Sequence, residues 1–215
     1  IVTSGKEKTY QAWYGIPKDS LATNRTYNPS GAMEDDEGNI IGYYDNQIDN
    51  YKQDYYQLHF AHQINSSMNF SLAGFYTRGY GYYESYKNDR SYSDYGLSDV
   101  IVGNDTITST NLIQQKWLDN HFYGGNFAFN VEKSKLQVTL GISYNIYDGD
   151  HYGNIIWAEH AGSFIDDPWY KNNGLKEDLS IFGRINYQIN DKINLFADLQ
   201  SRSINYKIEG THDNL

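Results

Sequence analysis

Two short groups of acidic residues are the candidates for metal chemistry in this sequence. Asp148, Asp150 and His151 occur together as Asp-Gly-Asp-His at the end of an alternating segment. The Asp-x-Asp spacing matches the start of an EF-hand loop, but the later ligands and the closing Glu of that motif are missing. The sequence therefore predicts either a Ca²⁺ site at Asp148 and Asp150 or a turn that these Asp side chains close by hydrogen bonding.

The second group is a run of four carboxylates at residues 34–37, which includes Asp35 and Asp36. Gly38 and Asn39 follow, which is typical of a loop. Carboxylates in a loop could supply the roughly six to eight oxygen ligands that Ca²⁺ takes. A charge run in a loop is more often a solvated tip. Both interpretations stay open, and no other cofactor is predicted.

Catalytic chemistry is not indicated. No pair of carboxylates and no set of Ser, His and Asp has a recognisable catalytic spacing. His59 and His62 would point to opposite faces of one strand, so they could not bind one ion together. The sequence therefore predicts that the chain is not an enzyme.

Aromatic residues between the alternating segments are the candidates for ligand contact, because binding residues concentrate on loops held by a rigid scaffold. These candidates are Trp157, Phe164, Trp169 and Tyr170. Packing of the same rings against neighbouring loops is an equally good interpretation.

Long β-strands are predicted to position these residues. Every second residue from Leu136 to Ile146 is apolar, and the residues between them are small or polar. At about 3.3 Å per residue this strand is roughly 36 Å long, and a tilt of about 45° gives it a span of roughly 26 Å. That span matches the apolar band of a membrane β-barrel.

The alternation recurs in pairs of segments joined by short polar turns, which predicts antiparallel hairpins. Seven strands are predicted at residues 8–16, 51–64, 68–83, 117–131, 135–147, 177–189 and 192–208. The connections without a strand period are residues 17–50, 83–116 and 148–176. Because short and long connections alternate, all the short turns are expected at one end of the sheet, as in outer-membrane barrels.

The alternation also assigns two faces. The residues expected to face lipid are Val138, Leu140, Ile142, Phe127 and Ile185, whereas Thr139 is expected to point into a lumen. The polar positions expected to line a lumen or contact a plug are Gln57, His59, Arg184, Asn186, Asp198 and Arg202. His62 is expected on the lipid side near the short turns.

Composition narrows the possible functions. The 22 Tyr, 9 Phe and 4 Trp suit a membrane–water interface. A net charge of −10 argues against a nucleic-acid partner. Cys is absent, so no disulfide framework or thiolate chemistry is expected. The mean hydropathy is −0.72, and no window of the sequence approaches the roughly 18 consecutive apolar residues of a transmembrane helix, so such a helix is excluded. The strands of a barrel are only half apolar, so a barrel is not excluded.

Six segments together resemble the barrel region of TonB-dependent outer-membrane receptors, most closely those of Bacteroides-type bacteria. The segments are TYQAWYGIP at 9–17, TYNP at 26–29, QDYYQLH at 53–59, GYYESYK at 81–87, QKWLDNHFYGG at 115–125 and YDGDHYG at 147–153. The resemblance covers nearly the whole chain.

This resemblance implies a transmembrane barrel of about 22 strands with a plugged lumen in the outer membrane of a Gram-negative bacterium. It also implies active uptake of a small metal chelate or similar scarce ligand, such as an iron–siderophore, haem or cobalamin. The implied partners are outer-membrane lipid and the TonB complex, which the family engages through an N-terminal plug region. That region and the closing strands are not found here, and an odd number of strands leaves two unpaired edges. Residues 1–215 are therefore expected to be a partial barrel that is not competent for transport alone.

Two rival classes remain. A secreted β-sandwich that binds glycans would suit the Tyr content and the acidity, but it predicts strands of about five to eight residues and frequent turn signals. An outer-membrane barrel enzyme would need a nucleophile and a base at its outer face, and no such pair stands out.

Overall fold

The computed structural model describes residues 1–160 and 168–213, which form one sheet of seven strands and two sheets of two strands. The strands of the large sheet are β1 (Val2–Tyr10), β4 (Ile48–Asn65), β5 (Met68–Ser91), β8 (Ser109–Lys133), β9 (Leu136–Ala158), β10 (Tyr170–Asn190) and β11 (Ile193–Gly210). The small sheets pair β2 (Ala32–Glu34) with β3 (Ile40–Tyr43) and β6 (Val100–Val102) with β7 (Asp105–Ile107). Two 3₁₀ helices cover Lys18–Ser20 and Tyr92–Tyr95.

The large sheet is an antiparallel meander with the order β1-β4-β5-β8-β9-β10-β11. The predicted all-β class and the predicted order of long antiparallel strands are therefore confirmed. β1 and β11 are the two edges of this sheet, and the described residues form no closed barrel. In the described part of the chain, no helix is long and apolar enough to cross a membrane.

The three short turns lie at one end of the large sheet, as predicted. One row of paired residues, Met68, Val131, Val138 and Ile185, crosses four strands close to these turns. The last turn is closed by Asn190, whose Oδ1 accepts hydrogen bonds from the second and third backbone N–H groups after it, at 2.9 and 3.0 Å. The opposite end of the sheet is termed the outer end below.

The strands are longer than predicted, and the long connections are correspondingly shorter. β5 continues to Ser91 and β8 begins at Ser109, so the prediction of a strandless segment at 83–116 is wrong for much of its length. β9 and β10 extend in the same way into the predicted connection 148–176. Backbone hydrogen bonds hold these extensions, and such bonds need no alternation of apolar and polar side chains.

The first strand is also misplaced in the prediction. It covers Val2–Tyr10 rather than residues 8–16, and it pairs with β4 from Val2 opposite Tyr56 to Tyr10 opposite Ile48. Its sequence is mixed in polarity and every residue of it is exposed, so the hydrophobic pattern gives no signal for it.

The register places the alternating apolar residues on one side of the sheet, termed the apolar face. One row of this face crosses five strands at Phe60, Leu72, Phe127, Ile142 and Ile181. These side chains are 38% to 52% exposed. The positions predicted to face lipid all lie on this face: Val138, Leu140, Ile142, Phe127 and Ile185.

The opposite side, termed the polar face, carries amide, hydroxyl and charged side chains. Thr139 donates a hydrogen bond of 2.9 Å to Asn130 Oδ1, and Asn130 donates one of 2.9 Å to Asn69 Oδ1. Arg184 forms an ion pair of 2.7 Å with Asp198. The predicted polar positions share this face: Gln57, His59, Arg184, Asn186, Asp198 and Arg202.

A row of tyrosines crosses the apolar face on the way to the outer end of the sheet. The part of the apolar face between the short turns and this row is termed the apolar band. Tyr56, Tyr76 and Tyr123 form one row across β4, β5 and β8, and the first two rings lie 6.0 Å apart. Beyond this row the apolar face carries charges, such as the ion pair of 2.5 Å between Arg78 and Asp119. The apolar band is thus confined to the half of the sheet that ends in the short turns.

Candidate functional site

Two adjoining cavities lie at the outer end of the polar face. The first, termed the cationic cavity, has a volume of about 430 Å³. Three basic side chains line it: Lys87, Arg90 and Lys116. Its other charged lining residues are Asp94 and Asp213.

Two aromatic rings form one wall of the cationic cavity. Tyr95, from the second 3₁₀ helix, lies edge-on to Trp169 with 5.1 Å between ring centroids. The Tyr95 hydroxyl donates a hydrogen bond of 2.8 Å to Gln114 Oε1. Trp169 can lie over β9 because the residue beneath it is Gly153, where a Cβ would come within 2.3 Å of the Trp169 ring.

The basic groups of this cavity are incompletely neutralised. Lys116 forms an ion pair with Asp213, but within the described residues no carboxylate forms an ion pair with Lys87 or Arg90. Burial lowers the pKa of the Lys87 ammonium, and the charges of Arg90 and Lys116 lower that pKa further. Burial also raises the pKa of Tyr95 to about 12, so its hydroxyl remains a donor near neutral pH.

The second cavity, termed the aromatic cavity, has a volume of about 350 Å³ and shares Lys116 and Asp213 with the first. Its lining includes three tyrosines, Tyr83, Tyr170 and Tyr206, together with Trp117, His151 and His212. The Lys116 Nζ lies 5.9 Å from the centroid of the Tyr170 ring. Lys116 therefore stands at the junction of a charged compartment and an aromatic one.

A change of pattern in β11 supplies the apolar rim of the aromatic cavity. Leu195 and Leu199 project from the apolar face, whereas Ile204, Tyr206 and Ile208 project from the polar face. The last two side chains are 64% and 60% exposed. The outer half of this edge strand thus presents apolar surface on the same side as Lys116.

The structure brings together two of the four predicted ligand-contact aromatics. Trp169 lines the cationic cavity and Tyr170 the aromatic cavity, with 5.1 Å between their ring centroids. Tyr170 is the first residue of β10, so its placement in a loop is wrong. Trp157 also lies in a strand, β9, where it stacks 6.5 Å from Tyr86 and lines neither cavity. Phe164 lies outside the described residues.

The Asp-Gly-Asp-His group lies in the middle of β9, not at its end or in a turn as predicted. Asp148 and Asp150 share the apolar face beyond the tyrosine row, where their carboxylates accept hydrogen bonds of 2.7 and 2.8 Å from the side-chain amide of Asn173. Lys171 lies 3.7 Å from Asp150. One amide thus joins the two carboxylates.

The acidic run at 34–37 forms the tip of the β2–β3 hairpin. Asp35 Oδ1 accepts hydrogen bonds from the backbone N–H groups of Asn39, at 2.8 Å, and Glu37, at 3.0 Å. These bonds, led by that from Asn39, lower the pKa of the Asp35 carboxyl. Asp36 stays exposed. Across residues 1–160 and 168–213, no three His, Asp or Glu side chains are grouped to hold a metal ion, and Ca²⁺ binding at either group stays a prediction.

The sequence analysis missed the basic residues of the cationic cavity. Lys87 and Arg90 lie in the extension of β5, and Lys116 pairs with Tyr83 across β5 and β8. The only sign of this cavity in the sequence is that Lys87, Arg90 and Lys116 are basic residues in a chain of net charge −10. The sequence does not show that these three residues lie close together, because their proximity depends on how the extended ends of β5 and β8 pair.

Comparison of the chain with protein-family models, curated proteins and solved structures gives no significant match.

Proposed function

We propose that this chain forms part of the barrel wall of an outer-membrane active transport receptor, which takes up a scarce ligand and is energised through TonB. The observation that carries the proposal is the apolar band, in which a row of five large side chains from Phe60 to Ile181 is 38% to 52% exposed. A continuous exposed apolar surface calls for a partner that covers it. Lipid suits this band because tyrosines border it, as in membrane barrels.

The lengths of the strands support a barrel that projects from the membrane. β5, β8 and β9 contain 24, 25 and 23 residues. A membrane-spanning strand needs only about 9–11 residues. The inner halves of the strands would therefore cross the lipid, and the outer halves would hold the two cavities in the external medium.

The edges of the sheet support a larger assembly. β1 and β11 each pair on one side only, and lipid does not tolerate an open edge of a sheet. Further strands would close the sheet into a barrel, for which the resembled family implies about 22 strands. The polar face would then line the lumen and contact a plug.

The transport activity and its ligand are inferred from the six segments that resemble TonB-dependent receptors. The ligand would be a metal chelate of the iron–siderophore, haem or cobalamin type. TonB would act through an N-terminal plug region, and the chain would have no enzymatic role.

Glycan binding is a second candidate, and one observation favours it. An uncharged cavity of about 440 Å³ on the polar face brings the rings of Tyr51, Tyr55, Phe75 and Phe122 beside the Asn120 amide. Rings and amides suit the stacking and hydrogen bonding of a sugar. A β-sandwich, however, needs a second sheet packed on the first, and the other sheets of the described residues have strands of only three or four residues.

Membrane fractionation tests the proposal. The full-length protein that contains this chain is expressed in a Gram-negative host, and its outer membranes are separated by flotation. We expect the protein in the outer-membrane fraction, with a change in gel migration on heating and with uptake of a metal chelate that stops when TonB is deleted. Recovery of a folded protein in the aqueous fraction would overturn the proposal and favour the glycan-binding candidate.

A further inference from the structure

We propose that an aromatic surface on the outer half of the apolar face binds the oligosaccharide headgroup of a glycolipid in the outer leaflet of the membrane. This inference rests on the proposed function, which sets the orientation of the sheet in the membrane, and it adds a partner that transport itself does not require. The surface consists of four inner rings, Tyr80, Tyr82, Trp117 and Tyr152, and two outer rings, Tyr86 and Trp157.

The inner rings form one continuous patch across three strands. Tyr82 of β5, Trp117 of β8 and Tyr152 of β9 lie in one row of the sheet. The centroid of the Trp117 ring lies 4.5 Å from that of Tyr82 and 5.1 Å from that of Tyr80. The Tyr152 ring stacks on Trp117 at 5.9 Å, with only 5° between the ring planes. Tyr80 is 42% exposed, so the patch is open to a ligand.

The outer rings continue this surface away from the short turns. Tyr86 and Trp157 both stand opposite Ile113, which lies four residues before Trp117 in β8. Their ring centroids are 6.5 Å apart, and Trp157 is exposed. Four residues of a strand span roughly 13 Å. The two groups of rings therefore offer successive contact positions to an extended chain of sugars.

The chemistry of these side chains suits a sugar. A pyranose has C–H groups on its face, which pack on an aromatic ring, and hydroxyl groups at its edge, which form hydrogen bonds. Asn50 stands opposite Tyr82 and adds an amide at one edge of the patch. Burial, together with the neighbouring Tyr80, raises the pKa of Tyr152 to about 12. The Tyr152 hydroxyl therefore keeps its proton near neutral pH and can donate it in a hydrogen bond.

The charges around the inner rings argue against recognition of a phosphate or another anion. On β4, β5, β8, β9 and β10, the titratable residues beside these rings are Lys52, Arg78, Lys171, Asp54, Glu84, Asp119, Asp148, Asp150 and His121. Each of the three basic side chains already forms an ion pair, Lys52 with Asp54 at 2.9 Å, Arg78 with Asp119 at 2.5 Å and Lys171 with Asp150 at 3.7 Å. Carboxylates outnumber basic groups there, so the uncharged sugars of a headgroup suit this surface better than its phosphates do.

The height of the rings above the apolar band favours a membrane glycolipid that carries several sugars. Trp117 lies six residues from Tyr123, which belongs to the tyrosine row at the limit of the band. Six residues of a strand tilted by about 45° raise Trp117 roughly 14 Å above this row. The headgroup layer of an ordinary bilayer is only about 5–8 Å thick on each side. A headgroup therefore needs a chain of sugars to reach the inner rings, and a longer one to reach the outer rings.

Titration of the purified full-length protein in detergent solution tests this inference. The probes are a lipopolysaccharide with its core oligosaccharide, lipid A without core sugars, and the free core oligosaccharide. We expect the lipopolysaccharide to bind about tenfold or more tightly than lipid A, since only the former reaches the rings. The free oligosaccharide is expected to bind more weakly than the lipopolysaccharide, because the lipid anchor raises the effective concentration of the sugars.

Two outcomes of this titration would overturn the inference. Equal affinities for lipopolysaccharide and lipid A would show that the core sugars are not recognised. A free oligosaccharide that binds as tightly as the lipopolysaccharide would show that the surface serves a soluble glycan and not the outer leaflet.

Variants assign the binding to these rings. Trp117→Ala and Trp157→Ala are each expected to weaken lipopolysaccharide binding about fivefold and to leave lipid A binding unchanged, since each removes one stacking surface. Trp117→Phe keeps a ring and is expected to retain most of the affinity. The matched control is Trp13→Ala, because Trp13 is also exposed but its ring packs 5.1 Å from Tyr83 of the polar face. Unchanged binding in both Ala variants, or an equal loss in the control, would overturn the inference.

Failure of this inference can be told apart from failure of the proposed function. Each variant is also checked for outer-membrane flotation, heat-dependent gel migration and TonB-dependent uptake, which Trp157→Ala is expected to leave intact. A receptor that enters the outer membrane but does not distinguish lipopolysaccharide from lipid A would overturn the glycolipid site and leave the transport proposal standing. A wild-type protein that does not enter the outer membrane would overturn the proposed function, and the inference with it.

Discussion

Ile142 and Ser143 are neighbours in β9, yet they lie in two different environments. Ile142 stands opposite Phe127 of β8 and Ile181 of β10, within the exposed apolar row. Ser143 stands opposite Asn126 on the polar face. One step along the strand thus separates the surface proposed to contact lipid from the surface proposed to line the lumen.

An arginine at these two positions is expected to have unequal effects. Ile142→Arg places a charge in the apolar band and should lower the free energy of unfolding by about 2–4 kcal/mol if the band contacts the membrane interior. Ser143→Arg is the matched control, because its new side chain enters a wet, polar surface. The measurement is urea unfolding in lipid vesicles together with the fraction assembled in outer membranes. Equal losses for the two variants would show that the faces are wrongly assigned.

The last hairpin is expected to depend on Asn190. Its Oδ1 accepts backbone hydrogen bonds from Lys192 and Ile193 at 2.9 and 3.0 Å. Asn190→Ala removes both bonds and should lower the free energy of unfolding by about 1–2 kcal/mol. Asp191→Ala, in the same exposed turn, is the control and should change stability by less than about 0.5 kcal/mol. A comparable loss in the control would assign the effect to the turn as a whole.

The inner half of the sheet could be predicted from the sequence, because each strand there has one apolar and one polar side. Ile142 and Ile185 were placed correctly, since a period of two residues is itself the signature of a strand with two different faces. The outer half carries polar and aromatic side chains on both faces, so the pattern disappears while the backbone pairing continues. Lys87 and Lys116 therefore fell into a segment predicted to be strandless.

The candidate site could be predicted only in part, for a related reason. Trp169 and Tyr170 were identified because large rings in a connection are common ligand contacts. Their approach to Lys116 depends on the register of three extended strands, which no short motif records. The Asp148 and Asp150 pair was misplaced because Asp and Gly favour turns in general, whereas here backbone pairing with β8 and β10 continues through them.

Gln11 is expected to anchor the segment that follows β1. This side chain is 2% exposed, and its Nε2 donates hydrogen bonds of 2.9 Å to the backbone carbonyls of Ile48 and Glu84. Gln11→Leu leaves two buried carbonyls without a donor, at a cost of about 1–3 kcal/mol each. We expect protease cleavage within residues 12–46 to become faster. The control is Gln188→Leu at an exposed position near the short turns, and equal cleavage rates in the two variants would contradict the anchoring role.

The ion pair between Lys116 and Asp213 is expected to make the stability of the site depend on pH. Burial raises the pKa of the Asp213 carboxyl, but hydrogen bonding and attraction from Lys116 outweigh burial, so this pKa lies below its ordinary value of 3.8. A carboxyl with a lowered pKa in the folded state stabilises that state fully above its unfolded pKa, and this contribution is lost as the pH falls through the folded value.

A double-mutant cycle with Asp213→Asn and Lys116→Gln isolates that contribution. The coupling free energy between the two sites, measured by unfolding in lipid vesicles, should be a few tenths to about 1 kcal/mol at neutral pH, as for other partly exposed pairs. It should stay constant down to about pH 4 and then decline as Asp213 takes up its proton. A coupling that falls between neutral pH and about pH 5 would point to a different titrating group, since a carboxyl held by Lys116 is fully ionised throughout that range.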